Sequence, residues 1–176
     1  MKIFKGLFLV LFLLFMSCSK VSKVKDSDLL NEIILEIEER ESYDEVEYPL
    51  GLFSREYFKK EAEYAKEQLI KLAKIDLFFL SETESISLKL LKFQLQDTID
   101  YYEFEKYLNP LLSDSGFHTN FSFMVRPFHN YKQVKDYLIK LNAIPSRVGQ
   151  FLPLLREGLE KGVSQPSVIF NGYESS

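Results

Sequence analysis

The stretch that decides the fold is Asn109 to Ser176, NPLLSDSGFHTNFSFMVRPFHNYKQVKDYLIKLNAIPSRVGQFLPLLREGLEKGVSQPSVIFNGYESS. It holds five of the six prolines and most of the glycines, so the chain changes direction here more often than anywhere else. An irregular, aromatic-rich loop is expected from Asn109 to His129, with Phe117, Phe121, Phe123 and Phe128 as plugs that fix it to the helices. Asn130 and Gln133 have the spacing of a capping box, which opens a helix to about Asn142 with Val134, Tyr137, Leu138 and Leu141 inward. Pro145 breaks it. A helix over Ser146–Lys161 follows, burying Val148, Phe151, Leu152, Leu155 and Leu159, kinked at Pro153 and closed by Gly162 in the left-handed position. A last helix begins near Pro166, with Ser164 as its cap.

Upstream the chain is periodic. Ser81-Glu82-Thr83-Glu84 fits a second capping box, opening a helix to about Leu108 in which Leu88, Leu91, Leu95, Ile99 and Tyr102 recur at steps of three or four, with Phe104 and Tyr107 extending the apolar surface. Ser54 is the expected N-cap of a helix to about Phe79, and Ser42–Phe53, which contains Pro49 and Gly51, is a linker. The first helix is expected over Asp28–Glu41, capped by Ser27, with Leu29, Leu30, Ile33, Ile34 and Ile37 on one face. The predicted fold is therefore all-α, an irregular bundle of about six helices forming one helical domain over residues 28–176, with one long aromatic-rich loop.

Composition agrees. Of the 176 residues 46% are hydrophobic and 27% charged, which is globular, and 16 phenylalanines with 10 tyrosines against 7 glycines favour helices packed through aromatic rings. A net charge of -4 and the lack of any long basic run argue against nucleic acid as a partner.

The N-terminus reads as an export signal. Lys2 and Lys5 precede an unbroken apolar run from Leu7 to Met16, too short to span a bilayer as a helix, so Met1–Ser17 is expected to be a signal peptide. Phe15-Met16-Ser17-Cys18 resembles a lipobox, although Phe15 and Ser17 stand where leucine and glycine or alanine are usual. Cys18 is the only cysteine, and lipidation explains its position directly after the apolar run better than a plain signal or an uncleaved anchor does. Residues 18–27 would be the lipidated cysteine and a lysine-bearing tether, and the protein would be an exported, membrane-anchored lipoprotein of the cell envelope.

Few residues suggest chemistry. His118 and His129 are the only histidines, eleven apart with Pro127 between them, which is not the spacing of a zinc site. Their expected work is to organise the loop. Arg126, with Thr119, Asn120 and Asn130, is a candidate lining for a substrate groove. The acidic runs Glu36–Glu41 and Asp97–Glu105 read as solvated faces rather than metal or acid-base sites. No H-E-x-x-H, G-x-S-x-G or phosphate-loop motif occurs, so no catalytic, cofactor-binding or metal-ligating residue is assigned.

The order Gly116-Phe117-His118-Thr119-Asn120-Phe121, Arg126-Pro127, Tyr137-Leu138, Leu155-Arg156-Glu157-Gly158-Leu159, Gly162, Gln165-Pro166 and Gly172-Tyr173-Glu174 resembles the bacterial domain of unknown function 885 family. The resemblance covers about Asp28–Ser176 and is best after Asn109. It implies a mostly helical protein several times longer than this chain and similar to helical zinc metallopeptidases, whose H-E-x-x-x-x-H-type helix would lie beyond Ser176. On that reading the chain is the N-terminal helical portion, inactive by itself, and zinc belongs to a missing or separate C-terminal catalytic part. The alternative is a stand-alone envelope lipoprotein whose helices act as a binding or structural module. The first reading expects Val168, Ile169 and Tyr173 to form an exposed apolar patch, and the second expects them covered.

Overall fold

The structure, a computed structural model, describes residues 25–111 and 126–170. Every regular element in them is helical, as the all-α expectation requires. In chain order these are α1 (25–38), α2 (Arg55–Leu72), α3 (Glu82–Glu103) and α4 (Tyr131–Glu160), with 3-10 turns at Leu77–Phe79, Lys106–Leu108 and Ser167–Phe170. The signal sequence and Cys18 lie outside the described residues, as do Phe117, Phe121, Phe123 and Tyr173.

The chain divides into two compact units, Met1–Arg40 with Tyr64–Asp97 and Glu41–Glu63 with Thr98–Ser176. In the first, α1 buries Leu30 and Ile33, three residues apart on one face, while α2 contributes Ala65 and Leu72 and α3 contributes Leu88 and Leu95. Burying a leucine or isoleucine fully is worth about 1.5–3 kcal/mol. Gln68 is buried among these apolar residues and donates its Nε2 to Glu36 at 3.0 Å. Lys71 Nζ reaches both oxygens of the same carboxylate at 2.6 Å, so Glu36 is a paired group and not merely a solvated one.

The Ser81 capping box forms as expected: the Glu84 N–H donates to Ser81 Oγ at 3.3 Å and the Ser81 N–H donates to Glu84 Oε2 at 2.7 Å. Glu84 Oε1 accepts from the Ser27 hydroxyl. Ser27 is thus not the cap of α1. The helix is already formed at residue 25, and Ser27 instead ties it to the first turn of α3.

In the second unit Ser54 caps α2 as predicted, accepting from the Tyr57 N–H at 3.1 Å. α2 ends at Leu72 and α3 at Glu103, both short of the expected Phe79 and Leu108. Glu105, two residues beyond α3, adopts a left-handed φ of 51°, which turns the chain into the 3-10 turn that carries the buried Tyr107 and Leu108. Tyr107 stacks on Phe58 at 5.3 Å and on Tyr102 at 6.0 Å, whereas Phe104 is exposed. The linker before α2 is held to α4. Arg147 donates to the Leu50 carbonyl at 2.9 Å, the Phe53 N–H donates to Gln150 Oε1 at 2.6 Å, and Gly51 makes the turn between them with φ 96°.

α4 corrects the sequence reading most. The helices expected over 130–142 and 146–161 are one helix of 30 residues with Pro145 and Pro153 inside it. Each proline removes only the hydrogen bond to the carbonyl four residues back, Leu141 or Gly149, and all four of these residues are exposed, so water can take the freed carbonyls. The last expected helix reduces to the turn Ser167–Phe170 within the described residues. The expected count of six becomes four α-helices there. The inward face also differs: Phe151 and Leu154 are buried, while Leu138, Leu141, Leu152 and Leu159 face solvent.

Gly158 brings α4 against the turn at Leu108. A Cβ at this position would lie 2.6 Å from the Leu108 carbonyl oxygen and 3.2 Å from that of Val163, whereas a Cβ at Gly149 would meet nothing within 4 Å. Gly158→Ala is therefore expected to destabilise the chain by about 1–3 kcal/mol, since backbone must move. Gly149→Ala should stabilise it by about 0.5–1 kcal/mol through helix propensity. Urea unfolding of the two variants beside the parent checks both signs.

Candidate functional site

Arg126 lies just before α4, and it lines an open groove of about 380 Å³ together with Pro127, Phe128, Gln133, Asp136, Tyr137 and Lys140. The groove forms because Gln133, Asp136, Tyr137 and Lys140 follow at steps of three, one and three, which puts them on one face of the first turns of α4. Phe128 packs on Tyr137 with ring centroids 5.1 Å apart, closing one wall. Lys132 pairs with Asp136 at 2.7 Å across one helical turn.

The helix start fixes the approach to the groove. Asn130 Oδ1 accepts from the Gln133 N–H at 2.9 Å, which makes Asn130 a cap and occupies the side-chain oxygen proposed for substrate. Gln133 Oε1 does not return to Asn130 but accepts from the His129 N–H at 2.8 Å. His129 is thus anchored through its backbone, and it is not among the groove-lining residues given above. His118, Thr119 and Asn120 lie outside the described residues. Of the predicted lining, then, the structure brings Arg126 to the groove and directs Asn130 elsewhere. Sequence reading missed Gln133, Asp136, Tyr137 and Lys140, although their spacing on a predicted helix was the available signal.

Chemically the groove can hold a ligand: it combines two cations, one carboxylate already paired, an amide and an aromatic wall. Among the described residues no three His, Cys, Asp or Glu side chains gather closely enough to hold a metal ion. Of the acidic run Asp97–Glu105, Glu105 is committed to ion pairs, together with Glu157 of α4. Glu105 accepts from Lys161 at 2.5 Å and lies 3.6 Å from Arg55, and Glu157 lies 3.1 Å from Arg55 and 2.9 Å from Lys161.

This cluster joins the end of α4 to α2 and to the turn after α3. The Lys161 hydrogen bond holds the Glu157 carboxyl below its usual range, and the Glu105 bond raises Lys161 above its own. A depressed carboxyl stabilises the fold above its unfolded value, about 4.3, and the benefit is lost as pH falls through the folded value. A raised lysine acts oppositely, contributing until pH climbs past about 10.4. Glu157→Gln is expected to lower the urea midpoint at pH 7, with the difference closing below about pH 4 and persisting at pH 9. Urea titrations at the three pH values check it.

Among the described residues the regular structure is all helical, with an open groove beside the start of the long helix α4. Residues 41–175 match the family described as "Bacterial protein of unknown function (DUF885)", and the chain belongs to that family. The match begins after α1 and takes in α2, α3 and α4. The search of curated proteins and the search of solved structures each found no match.

Proposed function

We propose that this chain is an exported lipoprotein, anchored through an acylated Cys18, whose helices serve as a scaffold that docks other polypeptide rather than as a reaction centre. Metallopeptidase-like chemistry, which the family resemblance suggests, would then be supplied by residues other than those of this chain, with zinc held there. The observation that supports the reading is apolar surface left open in the second unit: Val168 is 67% exposed and Leu159 equally so. Side chains of this size are each worth about 1.5–3 kcal/mol when a docked polypeptide buries them. The groove at Arg126 favours the second reading, a stand-alone envelope module that binds a ligand by itself.

Two measurements test the proposal. Cells expressing the chain and fed a radiolabelled or alkyne fatty acid should label it in the membrane fraction, and Cys18→Ser should abolish the label. Labelling that survives Cys18→Ser would sink the anchor. The purified chain given zinc and a mixture of peptides should leave them uncut, and turnover lost on replacing His118 and His129 would overturn the scaffold reading.

A further inference from the structure

Because α4 is continuous through its prolines, it carries a pattern that two shorter helices would not. Every seventh residue along it, Tyr131, Leu138, Pro145, Leu152 and Leu159, is apolar and exposed. The exposure is 82% for Tyr131, 49% for Leu138 and 45% for Leu152. Three residues after each of the first four come Val134, Leu141, Val148 and Leu155, apolar again and half-buried or exposed. These are the a and d positions of a heptad kept over the whole 30-residue helix, a seam about 45 Å long. It is not the face that packs inward, since Phe151, Leu154 and Gly158 fall outside both positions, and it is not the groove, whose Gln133, Asp136, Tyr137 and Lys140 also fall outside them.

The flanks of the seam differ. On one side the g positions Tyr137, Ile144, Phe151 and Gly158 are uncharged and half- or fully buried. On the open side the e positions are Lys135, Asn142, Gly149 and Arg156, two cations and no anion, the cations three heptads or about 31 Å apart. A second copy of the chain matches this poorly. Antiparallel pairing would set Lys135 against Arg156, and parallel pairing would stack Pro145 on Pro145 and face both cations with the uncharged Asn130 and Phe151.

We propose that α4 is the docking surface for an α-helix of a different polypeptide, one with apolar residues repeating every 3.5 positions and carboxylates along the flank that meets Lys135 and Arg156. This rests on the scaffold reading. Two four-heptad synthetic peptides, each with leucine at a and d and one with glutamate, the other with lysine, at e and g, are titrated into the full chain in mild detergent. The acidic peptide should bind at least about tenfold tighter than the basic one. Leu138→Glu with Leu152→Glu should weaken it at least tenfold with helix content unchanged, because both side chains face solvent. Lys135→Glu with Arg156→Glu should reverse the preference. Equal binding of the two peptides, or none, would overturn the proposal, as would a homodimer that Leu138→Glu with Leu152→Glu dissolves. A peptide bound and then cut would sink the scaffold reading and leave the seam standing, whereas one neither bound nor cut sinks the seam alone.

Discussion

The second unit depends on one close passage of backbone over backbone. Gly158 has no Cβ, so α4 can approach the Leu108 carbonyl, and that approach determines what else can touch. It seats Phe151 and Leu154 against Tyr107 and Leu108, and it carries Glu157 and Lys161 to Glu105 and Arg55. A charged cluster more than a quarter exposed, as this one is, holds geometry better than it holds energy. The apolar contact is therefore the source of stability, and the ions fix the angle at which α4 leaves it.

The left-handed Glu105 belongs to the same device. A non-glycine residue at φ 51° is strained, and its conformation persists because Tyr107 two residues on is stacked between Phe58 and Tyr102. Its carboxylate, turned outward by the same backbone, becomes the partner of Lys161. Strain, stacking and ion pairing here share one short turn.

Helix type was legible in the sequence, and helix extent was not. The caps at Ser54, Ser81 and Asn130 were visible because a hydroxyl or amide ahead of an apolar-periodic run is a local signal, joined at Ser81 and Asn130 by Glu84 and Gln133 three residues on. Pro145 misled for an equally local reason: a proline costs a helix one bond, but only the surroundings decide whether water can replace it, whereas Pro153 lies inside a helix as expected. Dividing α4 at Pro145 hid its seven-residue repeat, since neither half alone is long enough to display one. The expectation that Leu152 is buried, where the structure buries Leu154, followed from the same division. At the groove, Arg126 was legible as an exposed cation beside prolines and aromatics, but the role of Asn130 was not, because capping and ligand binding call for the same side chain.

Glu84 carries a consequence of another kind. One of its oxygens completes the cap of α3 and the other accepts from Ser27, 57 residues earlier. The 14 described residues of α1 are marginal as an isolated helix in water. Its place in the fold therefore depends on a contact that exists only once the start of α3 is formed. An early helix of the chain is thereby secured by a residue far along it.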